Sequence, residues 1–472
     1  MKRRKKKNFI DIYKKVKRVY EEYFINPENE KFYWFGIACL PLIYFVSVSI
    51  YTLKISDKHE IKKLNEFYNK KISYKIFENS SLKEFFKKIY FIFLNILFSF
   101  KKKFFVVYSS NNFTNKYCKQ NNCNKIKINP LWFFKLNEIN EVPIDKNLIK
   151  IIDLFLNKLI KIFLPNIRKT KKNKLKNKIK DQLVFYYQIY CIIIYNTKSY
   201  KNHCFLTGYT SVIYVRLFLS ALRFNKNCNI FTLTHGEVEI LNQQPNLQGD
   251  PCLLGNYLIF KGLNYKKKYS SFFLTINKNY KRPKLIGFKD NDELKNIKRN
   301  YLFNRNNNKK ILVVGYPRSY HYNIDFPQIL PINYYKVEIK LMEKLKLLGY
   351  DVTYKIHPDR INGNIQLFKN FKVIKDSYES VEKHFKYSIF TYHRSTAFGN
   401  ALKNNSSILL LYYRKLDIDN DTYKKLSKRI SFVQLNYTKN KILLKITNSR
   451  LNQLIKKSNK LVNYKSIIKM IS

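Results

Sequence analysis

Short apolar runs alternate with amphipathic stretches along most of the chain after residue 101, and turn residues separate them. The run KKFFVVYSSNN (102–112) has the pattern of a strand that ends in a polar turn. The segment HCFLTGYTSVIYVRLFLSALRF (203–224) has the pattern of a strand, a turn containing Gly208 and an amphipathic helix. NIFTLTHGE (229–237) has the pattern of the next strand. The order strand, helix, strand predicts a parallel sheet, whose ligands gather at the carboxyl ends of the strands.

The same alternation starts again after the hydrophilic segment 296–308. KKILVVGYPRS (309–319) is a predicted strand, residues 335–349 are a predicted helix, and YDVTYKIHP (350–358) is a predicted strand. FKVIKD (371–376) is another predicted strand, and residues 387–413 have the pattern of strand, turn, helix and strand. The chain therefore has a predicted α/β fold of two Rossmann-like lobes, with boundaries near 56–290 and 305–472.

The N-terminal part of the chain differs from this pattern. Residues 1–31 are basic, and residues 32–53 (FYWFGIACLPLIYFVSVSIYTL) carry no charge. A run of that length can cross the hydrocarbon core of a membrane, so we expect a single anchor in 32–55 with the N-terminus in the cytoplasm. A buried strand within the same residues is the alternative. The expected location is therefore the cytoplasmic face of the inner membrane, peripheral or held by a single span.

The chain has 90 basic and 32 acidic residues, a formal net charge of +58. Lys, Asn, Ile, Tyr and Phe are abundant together while Ala and Gly are scarce, which is typical of biased coding in an AT-rich genome. Such bias distributes Lys over every solvated face without selecting a partner. We therefore expect attraction to an anionic membrane surface and no specific nucleic-acid partner.

The stretch TYKIHPDR (353–360) places three side chains that can carry positive charge at the end of a predicted strand. Lys355 and His357 are two residues apart, so in a strand they point to the same face and can reach one anion. Arg360 follows in the exit loop. The alternative is ordinary loop chemistry in a lysine-rich chain.

The stretch HRSTAFGNAL (393–402) places Ser395 and Thr396 where a helix begins, beside His393 and Arg394. Hydroxyl groups and free backbone N–H groups at a helix start suit a phosphate, although plain helix capping explains the same residues. The two stretches belong to one lobe, and we expect their strand ends to be neighbours. Together they predict a phosphate site.

In the first lobe, His235, Gly236 and Glu237 come at the end of a predicted strand. His235 or Glu237 is a candidate general base for a hydroxyl nucleophile, and Gly236 allows a close approach of the backbone. Arg318 follows the first strand of the second lobe and either lines the cleft or lies in a surface loop.

No metal site is expected. The segment DIDND (417–421) starts like a calcium loop, but Thr422 and Lys428 stand where such a loop needs Gly and Glu. The seven cysteines form no C-x-x-C pair with zinc-ligand spacing.

Taken together, H-G at the end of a first-lobe strand, K-x-H-P in the second lobe and S-T at a following helix start resemble a known group of enzymes. These are metal-independent transferases of the two-lobed GT-B type that build bacterial surface polysaccharides. They include capsule glycosyltransferases, bacterial sialyltransferases and CDP-glycerol polymer transferases. The resemblance covers residues 200–412 approximately.

The resemblance implies a role for each matching residue. His235 takes the place of a base or acceptor-site residue. The K-x-H-P match implies that Lys355 and His357 hold the donor phosphate, together with the hydroxyl pair Ser395 and Thr396. The expected co-substrate is a nucleotide sugar with no cofactor, and the expected acceptor is a glycan or a lipid-linked acceptor.

The chain departs from the group at Glu237, where the polyol-phosphate enzymes carry Thr. It also has Gly399 or Asn400 where an acidic residue of the last helix is usual. Three alternative functions remain: a CDP-polyol phosphotransferase on the same fold, a non-catalytic polysaccharide-assembly protein, and an RNA-binding protein.

Overall fold

The structure is a computed structural model of the 472-residue chain. It describes residues 9–25, 28–55, 104–107, 112–121, 125–134, 136–198, 200, 203–208, 212–226, 228–233, 254–261, 283–288, 309–315, 331–357, 365–393, 395–412, 420–438 and 441–462. The chain divides into two compact units, the first formed mainly by residues before 287 and the second mainly by residues from 287 onward. Two six-stranded sheets are present. The predicted α/β class with two parallel sheets is confirmed.

The first sheet has the strand order β2-β1-β3-β4-β5-β6. Its strands are β1 (Phe104–Val107), β2 (Lys125–Ile128), β3 (His203–Thr207), β4 (Cys228–Leu233), β5 (Tyr257–Lys261) and β6 (Lys284–Phe288). The pairings from β2 to β5 are parallel. The chain changes direction across the sheet between β1 and β3, and there the Thr207 hydroxyl contacts the Val107 carbonyl at 3.4 Å.

Eight helices of the first unit surround this sheet or precede it in the described part of the chain. They are α1 (Phe9–Tyr20), α2 (Glu30–Ala38), α3 (Leu40–Ile55), α4 (Asn112–Gln120), α5 (Leu136–Ile139), α6 (Lys146–Phe163), α7 (Lys169–Asn196) and α8 (Ile213–Phe224). A π-helix (Glu21–Ile25) continues α1. The aromatic ring of Phe155 on α6 packs edge-on against Tyr20 and Phe24, at centroid distances of 5.6 and 5.4 Å. The N-terminal helices are therefore part of the first unit's core.

The uncharged segment 32–53 forms two helices, α2 and α3, which meet at Cys39. Pro41 is the second residue of α3 and has no N–H group, so it cannot donate the bond that would continue α2. The buried strand considered from the sequence is wrong, and Ser47 instead donates to the Ile43 carbonyl one helical turn earlier, at 2.7 Å. No helix in the described part of the chain is long and apolar enough to cross a membrane.

A buried arginine binds the last carbonyl groups of α2, where the two helices meet. Arg216 of α8 is fully buried. Its Nε and Nη2 atoms donate to the carbonyls of Ala38 and Ile37 at 2.8 and 2.7 Å. The last carbonyls of a helix have no partner within the helix and carry the negative end of its dipole, so a cation is well placed there.

The second sheet has the order β12-β11-β10-β7-β8-β9. Its strands are β7 (Lys310–Val314), β8 (Asp351–Lys355), β9 (Lys372–Ile374), β10 (Tyr387–Phe390), β11 (Ser407–Tyr412) and β12 (Ser431–Gln434). All five pairings are parallel. A small antiparallel pair, β13 (Asn436–Thr438) and β14 (Lys441–Leu443), follows. Each of the predicted second-lobe strands is therefore present.

The helices of the second unit are α9 (Pro331–Leu347), α10 (Tyr378–Val381), α11 (Thr396–Leu402), α12 (Asn420–Ser427) and α13 (Asn448–Lys460). One face of the sheet packs with α9 and α13, and the other packs with α10, α11 and α12. The predicted helix at 335–349 begins four residues earlier, at Pro331. Gly349 lies just past its end with φ of +77°, a conformation that favours glycine.

Candidate functional site

The second sheet has a topological switch point between β7 and β10. The chain first moves outward from β7 through β8 to β9, then returns to the other side of β7 and continues through β10, β11 and β12. This arrangement is the doubly wound strand order in which ligands bind outside the carboxyl ends of the two central strands. Those ends lie at the same level, since Val314 is in register with Phe390.

Lys355 ends β8, directly beside this switch point, in register with Val314 on one side and Ile374 on the other. Its side chain is buried, with 5% of its surface exposed. The Nζ atom has one long hydrogen bond, 3.4 Å to the Ile356 carbonyl, and forms no ion pair among the described residues. Burial lowers the pKa of Lys355, and the carboxylates of Glu379 and Asp376 oppose that shift. The ammonium group is therefore a desolvated cation with little direct compensation, which an anion could provide.

His357 comes two residues later and is half-buried. The strand pairing extends one residue beyond β8, because the Ile356 N–H donates to the Ile374 carbonyl at 3.1 Å. His357 thus leaves the sheet at its carboxyl edge, near the same end as Lys355.

Ser395 caps α11. Its hydroxyl oxygen accepts a hydrogen bond from the Phe398 N–H at 3.1 Å. Ser395 is therefore the helix cap that the alternative explanation expected. The hydroxyl proton is not used in this bond and can donate to a ligand. Thr396 is the first residue of α11 and is exposed, and His393 is buried. The helix has seven residues, which limits the contribution of its dipole.

The expectation that the strand ends bearing Lys355 and Ser395 are neighbours is wrong, because β7 lies between β8 and β10. The physical reason is that the chain crosses to the other side of β7 after β9. Two strand spacings separate the ends by about 10 Å. A single ligand group can therefore meet both only if Lys355 reaches across the end of β7 or if the ligand is elongated.

A buried polar network lies on the other face of the sheet at the same edge. Glu338 of α9 is buried and accepts a hydrogen bond from the Tyr354 hydroxyl at 2.9 Å. The Thr391 hydroxyl lies 2.9 Å from the second Glu338 oxygen and 3.1 Å from the Val314 carbonyl. The network links the ends of β7, β8 and β10, and it was not anticipated from the sequence.

Gly315 follows β7 at the centre of this edge. A Cβ atom there would come within 2.7 Å of Tyr354 Cζ, so the backbone passes closely over the tyrosine ring. The glycine at the end of a predicted strand was a visible signal for such a close approach, whereas Glu338 is one of several charged residues on its helix and gave none.

Comparison with known proteins yields no family assignment, since neither a protein-family model nor a curated protein sequence matches the chain.

Several residues singled out from the sequence lie outside the described residues. They are His235, Gly236, Glu237, Arg318, Arg360 and Arg394. Of the segment 417–421, Asn420 and Asp421 are described and begin α12. Within the described part of the chain no group of three or more His, Cys, Asp or Glu side chains could hold a metal ion.

Asn400, which stands where an acidic residue was expected by resemblance, donates a hydrogen bond to Glu379 of α10. A carboxylate is therefore present beside that position, and the same carboxylate acts electrostatically on Lys355. The arrangement combines a buried cation, a histidine and an exposed acid at the carboxyl edge of a doubly wound sheet. Such a set can bind an anionic group and orient a neighbouring hydroxyl.

Proposed function

We propose that the chain is a metal-independent glycosyltransferase of the GT-B type, which moves a sugar from a nucleotide-activated donor to a growing surface glycan or a lipid-linked acceptor. The second unit binds the donor. The observation that carries the proposal is Lys355, a buried cation with no ion pair in the described structure, placed beside the switch point of a doubly wound sheet. The activity belongs, in this proposal, at the cytoplasmic face of the inner membrane.

The proposed chemistry follows from charge. When the glycosidic bond to the donor breaks, negative charge develops on the departing nucleotide phosphate. Lys355 and His357 stabilise that charge, and the Ser395 proton and the exposed Thr396 hydroxyl donate to the phosphate oxygens. In this proposal His235 or Glu237 takes the proton of the acceptor hydroxyl. Glu379 is placed to accept a hydrogen bond from a hydroxyl group of the donor.

A thermal-shift panel of UDP-, CMP-, CDP- and GDP-sugars, with CDP-glycerol added, tests donor binding. The complete chain is the right material, since Arg216 donates to the last two carbonyls of α2 and the N-terminal helices belong to the first unit's core. We expect one nucleotide class to raise the unfolding temperature, by an amount that grows with ligand concentration. The absence of a shift with every nucleotide would favour a non-catalytic assembly protein. A shift with CDP-glycerol alone would favour the polyol phosphotransferase.

His357→Ala tests catalysis separately from folding. The side chain is half-buried at the edge of the sheet, so we expect the variant to fold and to unfold at most a few degrees below the wild type. We expect transfer of the sugar to be abolished in this variant. Unchanged turnover would contradict the assignment of His357 to the donor phosphate.

A further inference from the structure

Helices α6 and α7 of the first unit form an antiparallel hairpin whose closed end is strongly basic. Near the middle of the hairpin, Asp153 of α6 forms ion pairs with Lys176 and Lys180 of α7, both at 3.1 Å. Residues 164–168 connect the helices. We call this end the basic tip, and it comprises Lys161, Ile162, Arg168, Lys169, Lys171 and Lys172.

No acidic residue occurs between Asp153 and Asp181, although this stretch contains ten lysines and arginines. Lys158 pairs with Glu22, and Asp153 occupies two more of the cations. The five cations of the basic tip form no ion pair among the described residues, and all but the half-buried Lys172 are exposed. Their mutual repulsion is therefore not relieved within the described part of the protein.

The start of α7 also contradicts the usual rules for helix ends. Arg168 occupies the cap position without a side-chain hydrogen bond to the helix, and the first turn has no acidic residue. Lys169, Lys171 and Lys172 lie instead at the positive end of the helix dipole, where cations are unfavourable. Unfavourable helix ends that nothing in the same protein compensates are typical of functional surfaces. An anionic partner bound here would make both the uncapped helix start and the cations beside it favourable.

Apolar side chains accompany the charges. Leu154 and Ile162 are 48% and 47% exposed, and they lie on one face of α6 because they are eight residues apart. Lys161 and Lys150 are exposed on the same side of that helix. Exposed aliphatic groups flanked by lysines suit the boundary between lipid headgroups and acyl chains.

We infer that the basic tip and the exposed α6 face dock the protein on an anionic phospholipid surface. A single-stranded nucleic acid is the other polyanion to consider, but its binders also offer aromatic rings for base stacking. The two aromatic residues of 154–180, Phe155 and Phe163, are both buried. The inference stands on this surface alone and does not depend on the proposed enzymatic activity.

The test is co-sedimentation of the complete chain with vesicles of phosphatidylcholine alone and of phosphatidylcholine mixed with phosphatidylglycerol. The triple variant Lys161→Gln, Lys169→Gln, Lys171→Gln should bind the anionic vesicles about 100-fold more weakly, since each cation near such a surface contributes about fivefold. The double variant Leu154→Ser, Ile162→Ser should lose about tenfold, because it removes apolar surface that the lipid covers.

The matched control is Lys456→Gln, Lys457→Gln, Lys460→Gln on α13, which removes the same charge from exposed positions of the second unit. If the lipid contacts only the basic tip and the exposed α6 face, this control should change vesicle binding less than about twofold, because charges farther from the lipid than the Debye length of about 8 Å are screened. An equal loss in this control would show that only net charge matters and would overturn the inference. The inference would also be overturned if the wild-type protein did not bind anionic vesicles.

A final arm separates lipid from nucleic acid. Binding of a single-stranded RNA oligonucleotide is measured for the same variants. If the double apolar variant binds anionic vesicles as the wild type does, while the triple charge variant loses vesicles and RNA equally, the surface is a general polyanion binder and the lipid assignment is wrong. Loss of vesicle binding in the apolar variant with RNA binding unchanged would support it.

Discussion

Lys355→Met should raise the stability of the protein and at the same time remove its response to a nucleotide ligand. The lysine is 5% exposed, its one hydrogen bond is 3.4 Å long, and burial lowers its pKa. In its charged form the ammonium group lies between Val314 and Ile374 of the neighbouring strands, away from water, which is unfavourable. Methionine has a similar shape and no charge to desolvate.

The expected gain is about 1 kcal/mol, the low end of what apolar residues of similar volume give when they replace buried ionic groups. The attraction of Glu379 and Asp376 for the ammonium group keeps the gain from being larger. For a unit of this size, that gain corresponds to an increase of about 2–4 °C in the unfolding temperature.

A bound donor should make the wild type more stable than the Lys355→Met variant. Ligand at about 100 times its Kd stabilises the wild type by about 2.7 kcal/mol, whereas the variant has lost its cation and should gain little. The assay is thermal unfolding of both proteins with and without the nucleotide found in the panel. Without ligand the variant unfolds at the higher temperature, and with ligand the wild type does.

Lys372→Met on β9 is the matched control, because it makes the same chemical change at an exposed position of the adjacent strand. Its stability should stay within about 0.5 kcal/mol of the wild type, with the ligand response retained. A Lys355→Met variant that is less stable than the wild type without ligand, or that the nucleotide still stabilises, would contradict the role of Lys355 as an uncompensated cation that binds the donor.

The remaining predictions concern pH and the supporting structure. The folded-state pKa of Lys355 lies below its ordinary value of 10.5, so between the two values the unfolded chain binds more protons than the folded protein. The unfolding free energy of the wild type should therefore rise relative to that of the methionine variant as the pH rises through that window. A difference in unfolding free energy that is independent of pH would contradict this. Gly315→Ala should reduce the unfolding free energy by about 1–3 kcal/mol in urea titrations, because the added methyl group meets the Tyr354 ring, and an unchanged midpoint would show that the ring moves aside. Glu338→Leu should lose about 1–3 kcal/mol by removing the carboxylate that accepts from the buried Tyr354 hydroxyl, whereas Glu338→Gln should lose clearly less; equal losses would assign the effect to packing. Arg216→Met should lose about 2–4 kcal/mol by leaving two carbonyls at the end of α2 unsatisfied, and a smaller loss would indicate that water replaces the guanidinium.

The sequence was sufficient for the strands and helices near the candidate site. The runs ending at Val314, Lys355 and Phe390 are short, apolar and followed by turn residues, and each forms a strand of the second sheet. Gly349 was recognisable as the end of α9 because few residues other than glycine adopt its positive φ. These features depend on neighbours within a few residues, which is the information that a local pattern contains.

What the sequence did not indicate depends on contacts between distant residues. The position of β7 between β8 and β10 follows from the path of the whole chain, and no pattern within one strand records it. Arg216 was one of two arginines in an otherwise mostly apolar helix, and its partners lie 178 and 179 residues earlier. The segment 32–53 has the length of a membrane span, but it forms two helices that meet just before Pro41. The guanidinium group of Arg216 binds the carbonyls at the end of the first of them.

The lysine-rich composition first suggested that a cluster such as Lys355 and His357 is accidental. Biased coding adds lysine without penalty only at solvated positions, because a buried ammonium group reduces stability. Two lysines are buried among the described residues, Lys355 and Lys403, and Lys403 has an interaction partner. Coding bias therefore explains the basic surface in general but not Lys355, whose unfavourable position at the edge of a doubly wound sheet the proposed donor phosphate would compensate.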